Sequence, residues 1–201
     1  MKIERPEKTP LEKQEIFDQL AKVSNPPALK SRVCDPSCEA VCQVCASTDC
    51  LCACTPDCPH IPAVLTDDPN FPIENKIAPL AFELKRLKVF RPCWSCEGHN
   101  DNAGKMWKVP RIWFYCDSVV YVRLLSDVLR ELEIEERLEV SWLVRVTFSD
   151  NDNPLTSFAM EPETGNVSYT PLASFQKDIE TITECIYDRM TEKAKALMES
   201  A

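Results

Sequence analysis

Glycine is scarce in this chain: 201 residues hold three, Gly98, Gly104 and Gly165. A loop that cradles a phosphate needs several glycines close together, so that bare backbone N–H groups can approach the anion. Phosphate-loop and dinucleotide-binding folds are therefore not expected. Histidine is scarcer still, with two copies, His60 and His99. Long apolar runs are missing as well. The longest, residues 119–125 and 140–146, are far too short to span a bilayer, and Arg123 and Arg145 interrupt them. Positive charge is in deficit: 23 Lys and Arg face 32 Asp and Glu, for a net charge of −9. That balance opposes wrapping nucleic acid or lying on an anionic membrane, so neither is an expected partner of the whole chain. The first residues, Met-Lys-Ile-Glu-Arg-Pro-Glu-Lys, carry no apolar run followed by a small-residue cleavage site, so the expected location is cytoplasmic.

What the chain has in excess is cysteine, twelve in all. Structural disulfides are rare in a reducing compartment, so twelve thiols there point to metal thiolates. The composition is 44% hydrophobic, enough to bury a core. That hydrophobicity is unevenly spread, and it divides the chain. Residues 1–33 are an N-terminal helix and linker: 10–23 have amphipathic periodicity, Thr9 is placed to cap them, Pro10 suits a first helical position, and Asn25-Pro26-Pro27 ends the run. Residues 34–60 are a cysteine-rich module with almost no large apolar side chain. Residues 61–74, with Pro62, Pro69 and Pro72, read as a linker.

Residues 75–201 have globular composition. Helical periodicity occupies 77–89, 118–132 and 175–198; strand patterns occupy 89–96, 109–116, 139–148 and 155–161, with a turn at Asp150-Asn151-Asp152-Asn153-Pro154. Ser118 is the expected cap of the second of these helices. Ile179, Ile182, Ile186 and Met190 are the expected buried stripe of the last, with Cys185 a core thiol beside it. This order of elements predicts an α+β fold: a small, mostly antiparallel sheet covered by helices.

The module at 34–60 carries Cys34, Cys38, Cys42, Cys45, Cys50, Cys52, Cys54 and Cys58, then His60. Asp35-Pro36 is a helix start, and a helix over 36–46 sets Cys38, Cys42 and Cys45 along one face, with Cys34 just ahead. Thiols converging from one face suit a metal. Eight of them suffice for two tetrathiolate sites or one polynuclear cluster. Soft sulfur donors select zinc, iron–sulfur or copper(I). Zinc is the first choice, iron–sulfur the second and copper the third. The spacing Cys38-x3-Cys42-x2-Cys45 resembles the triad by which radical-SAM enzymes hold a four-iron cluster. That likeness covers eight residues, and the chain has neither the length nor the repeated βα pattern of that barrel. Cys54-x3-Cys58-Pro59 is similar to the end of a bacterial ferredoxin signature, whose preceding cysteines are missing here. The Cys-x-Cys runs resemble metallothioneins in local style.

A second constellation lies at Cys93-x2-Cys96-x2-His99, and Cys116 at the end of the next strand is its expected fourth ligand in a Cys3His site. The same residues admit a catalytic reading, with Cys96 as nucleophile, His99 as its base and Glu97 as acid, base or orienting group. Around them Lys85, Arg86, Lys88, Arg91, Lys105, Lys108 and Arg111 alternate with Trp94, Trp107 and Trp113. Such a basic and aromatic face can receive a protein or another anionic partner. Three functions are thus in view: a thiolate metal-binding protein, active in metal handling, redox or partner recognition; an enzyme centred on Cys96, Glu97 and His99; and an interaction scaffold at residues 85–113.

Overall fold

The computed structural model describes residues 8–24, 73–147, 156–163 and 170–200. The module at 34–60, most of the segment 61–74 and the turn at 150–154 lie outside these residues. Helix α1 spans Pro10–Ser24. Thr9 and Glu12 close its start reciprocally: the Glu12 N–H donates to Thr9 Oγ1 at 3.3 Å, and the Thr9 N–H donates to Glu12 Oε2 at 2.8 Å. Pro10 follows as the first helical residue, where its missing N–H leaves no bond unmade. Helix α2, Ala78–Arg86, tolerates Pro79 for the same reason. Helix α3, Val119–Ile134, is capped by Ser118, whose Oγ accepts the Val120 N–H at 3.1 Å. Helix α4 is the longest, Leu172–Glu199.

The strands are β1 (Phe90–Cys96), β2 (His99–Asn100), β3 (Met106–Lys108), β4 (Arg111–Cys116), β5 (Trp142–Thr147) and β6 (Ser157–Pro162). Four of them form one sheet in the order β1-β4-β6-β5, with every neighbouring pair antiparallel. The α+β class is therefore correct, with four helices and a small antiparallel sheet among the described residues. β4 and β5 both run against β6, so they run parallel to each other, and α3 carries the chain between them. β2 and β3 make a separate two-stranded extension of the β1–β4 hairpin.

Alternation divides the sheet into two faces. The registers Ile112↔Met160 and Phe114↔Phe158 align the buried face, where Phe90 meets Phe114 edge-on at 5.1 Å and Phe114 stacks on Phe158 at 5.9 Å. α2 lies against β1 and α3 against β4 and β5; α4 packs on α1, α2 and α3. The expected stripe of α4, Ile179, Ile182, Ile186 and Met190, is wholly buried, and α1 contributes Leu20 and Val23 to the same core. Ser118 Oγ also donates to Gln19 Oε1 at 2.7 Å, tying the α3 cap to α1. The opposite face carries the row Trp94–Trp113–Ala159–Arg145 and, one step along, Cys96 beside Arg111.

One buried carboxylate fastens α4 to the β5 edge. Asp178 accepts the Trp142 indole N–H at 3.0 Å and the backbone N–H groups of Glu139 and Val140 at 2.8 and 3.2 Å. Burial pushes its pKa above the ordinary carboxylate range, although those three donors pull the other way. Among the described residues no helix is long and apolar enough to cross a membrane.

Candidate metal centre

β1 ends at Cys96, and the chain must turn at once to begin β2 at His99. Gly98 makes the turn possible, with φ at +84°. A methyl group there would sit 2.6 Å from Leu172 Cδ1 and 2.8 Å from Pro110 Cδ, so the turn is packed against the start of α4 and the approach to β4. The hairpin tip is held by Asp101, whose Oδ1 accepts the N–H groups of Ala103 and Lys105 at 2.9 and 2.8 Å. Its register sets His99 opposite Lys108.

Glu74 reaches this turn from just ahead of α2. Its Oε2 accepts the Glu97 N–H at 2.6 Å, and its Oε1 lies 2.8 Å from His99 Nε2. Glu97 answers in the opposite direction, its Oε2 accepting the Lys76 N–H at 2.8 Å. The two acids thus clasp the strand-end turn to the turn before α2. His99 has Glu74 as its carboxylate partner, while the Glu97 carboxylate holds backbone.

One donor atom each from Glu74, Cys96 and His99 lies within 4.8 Å of the other two. Among the described residues this is the one such group of three His, Cys, Asp or Glu donors. Cys96 is 1% exposed, whereas the side chains of His99 and Glu74 are 36% and 31% exposed, so the cluster opens to solvent past the imidazole and the carboxylate. Burial pushes the Cys96 thiol pKa up. The Gly98 N–H draws it back, the Glu74 charge raises it again, and the charge and hydrogen bond of the adjacent Lys108 lower it. A thiol held neutral in this way is a poor free nucleophile but a good latent ligand, because a bound cation expels the proton.

Cys93 and Cys116 do not join this group. Cys93 falls in a bulge where the β1–β4 register skips from Pro92 to Trp94. Cys116 pairs with Phe90 at the far end of the hairpin, whereas Cys96 pairs with Arg111. The strand between those pairs is about 20 Å long at ~3.3 Å per residue. The Cys116 thiol donates to the Ser118 carbonyl at 3.2 Å, and burial raises the pKa of both thiols. The segment from Cys93 to Cys96 is strand, not the turn a zinc knuckle needs. Cys34, Cys38, Cys42, Cys45, Cys50, Cys52, Cys54, Cys58 and His60 lie outside the described residues.

The basic and aromatic residues separate into two sets. Arg86 turns to the helical side, pairing with Glu83 at 2.9 Å and lying 3.5 Å over the Tyr187 ring. Around the candidate centre, His99 stacks on Trp107 at 6.0 Å, Trp94 meets Trp113 at 5.3 Å, and the Lys108 ammonium sits 4.9 Å from the Trp94 ring centre and 5.9 Å from that of Trp107. Arg111 and Arg145 each lie 3.5 Å from the Glu161 carboxylate between them.

Sequence reasoning missed Glu74. It lies 22 residues before Cys96, in the segment read as a linker, and no spacing rule connects an acid there to a thiol in a strand. Compared with protein-family models, curated proteins and solved structures, the chain finds no match.

Proposed function

We propose that this protein binds a divalent metal, zinc in the first instance, through Glu74, Cys96 and His99. The observation that carries the reading is the convergence of their three donor atoms within 4.8 Å. Tetrahedral zinc with bonds of roughly 2.0–2.3 Å holds its ligands about 3.5 Å apart, inside that limit. A thiolate, an imidazole and a carboxylate together suit zinc; a single sulfur donor does not suit an iron–sulfur cluster. The Glu74–Glu97 clasp and the stacking of His99 on Trp107 supply the outer support that ligand side chains need. The eight cysteines at 34–60 extend the reading to a separate thiolate-rich site, by number and spacing alone.

The test is zinc stoichiometry of full-length protein purified anaerobically, compared with Cys96→Ser, Glu74→Gln and His99→Ala variants whose circular dichroism remains that of the folded chain. Each variant is expected to hold one zinc fewer than the parent, or to release it at a far lower chelator concentration. If all three retain the parent's zinc at the parent's affinity, the centre is not there. Metal must displace a proton from the thiol, so zinc affinity is expected to rise with pH.

A further inference from the structure

Among the described residues three protein donors meet, and a set of three leaves one tetrahedral position open, the arrangement of zinc sites that take up a fourth ligand rather than of closed structural sites. The charges around the cluster indicate what that ligand is. The Cys96 thiolate and the Glu74 carboxylate together cancel the charge of a divalent ion, and neutral His99 adds none. Lys108 then supplies a positive charge at the edge of the site, while the Glu97 carboxylate on the same turn is occupied by the Lys76 N–H. It stands opposite His99 in the β2–β3 register and beside the Cys96 thiol, touching two of the three donors' neighbourhoods. Its ammonium lies over the faces of Trp94 and Trp107, and among the described residues no carboxylate pairs with it. Arg111, the other cation next to Cys96, is engaged by Glu161. Trp107 is 65% exposed, so the rim that holds Lys108 is open to a solute.

We infer that the loaded centre binds an oxyanion, one oxygen filling the open metal position and the negative charge meeting Lys108. This rests on the metal reading above. The indole faces on either side of Lys108 suit an organic anion with an apolar body, since an ammonium held against two rings leaves their remaining surface free for contact. Carboxylate and phosphate share the chemistry required, and the experiment separates them.

The experiment loads full-length protein with cobalt(II) and takes the difference spectrum between the parent and Cys96→Ser, so that cobalt held elsewhere in the chain cancels. The parent is then titrated with acetate, with benzoate and with inorganic phosphate. The expected result is a saturable change in the cobalt ligand-field bands, with benzoate tighter than acetate if the ligand is an organic carboxylate, and with phosphate tightest if it is a phosphate group. Lys108→Met is expected to weaken that binding about tenfold or more while cobalt stoichiometry stays at the parent value. Lys105→Met, which removes an exposed charge in the hairpin tip, is expected to leave binding unchanged. Bands that respond to none of the anions would overturn the inference. So would a Lys108→Met variant that binds as tightly as the parent, or an equal loss in Lys105→Met, which would mark general charge attraction. Failure of the metal reading looks different: the parent and Cys96→Ser then bind the same amount of cobalt with superimposable spectra.

Discussion

Replacing Gly98 by alanine tests how strongly the turn between β1 and β2 dictates the candidate centre. Two independent terms oppose the substitution. The backbone has φ at +84°, where an L side chain meets its own carbonyl, and this costs about 1–2 kcal/mol. The new methyl also lies 2.6 Å from Leu172 Cδ1 and 2.8 and 2.9 Å from Pro110 Cδ and Cγ. Two of those three atoms belong to a rigid ring, so relief comes mainly from Leu172 or from the turn itself. Overpacking of this kind costs about 1–3 kcal/mol. The expected sum is roughly 2–5 kcal/mol, a large share of the ~5–15 kcal/mol that keeps a domain folded. Urea denaturation of the metal-free protein measures it. The double variant with Leu172→Ala divides the steric term, because removing Cδ1 relieves the Leu172 contact and leaves the Pro110 contacts and the dihedral term intact. Gly98 lies between Glu97 and His99, so the same displacement is expected to part His99 from Cys96 and weaken zinc binding. A loss of stability below about 1 kcal/mol with unchanged zinc affinity would refute the reasoning, since it would mean that the turn yields freely and does not set the donor geometry.

Ser118→Ala removes both a helix cap and the bond to Gln19, and is expected to cost about 1–2 kcal/mol in urea denaturation. A double-mutant cycle with Gln19→Ala should return a coupling of about 0.5–1.5 kcal/mol; a coupling of zero would show that α1 docks without that bond. Asp178 gives a pH dependence whose sign follows from its raised pKa. The folded state binds this proton more tightly than the unfolded chain, so the contribution to stability is full below the unfolded carboxylate pKa and is lost as pH rises through the folded value. Stability of the parent minus that of Asp178→Asn, followed by urea midpoint from acid toward neutral pH, should therefore carry a falling component from this group; a rising difference would mean that its hydrogen bonds outweigh its burial.

Much of the fold was legible in the sequence because the signals were local. Thr9-Pro10 announces a helix start by residue chemistry alone; the structure makes the Thr9 cap and adds a return bond to Glu12 that the sequence reading did not include. The stripe Ile179, Ile182, Ile186 and Met190 repeats at helical spacing, and its burial follows from that period. The short pair β2 and β3 escaped notice because two- and three-residue strands have no period to detect. Helix ends and strand ends moved by a few residues, where hydrogen bonding with neighbours outweighs local preference. The expected set of Cys93, Cys96, His99 and Cys116 rested on nearness along the chain. In an antiparallel hairpin that nearness misleads: Cys116 follows β4 back to the level of Phe90, while Cys96 and His99 stay at the other end.

The amino-acid sequence by itself determined the composition of any metal chemistry here: many thiols, two imidazoles, few glycines and an acidic balance with one basic, aromatic stretch. It also determined the α+β order of elements, since periodicity, capping and turn residues act over a few positions. Only the tertiary structure decided which donors meet. Glu74 joins Cys96 and His99 because α2 docks beside the end of β1 and the two turns exchange hydrogen bonds through Glu74 and Glu97. That meeting is a long-range contact, made by packing and register, and no spacing within the chain encodes it.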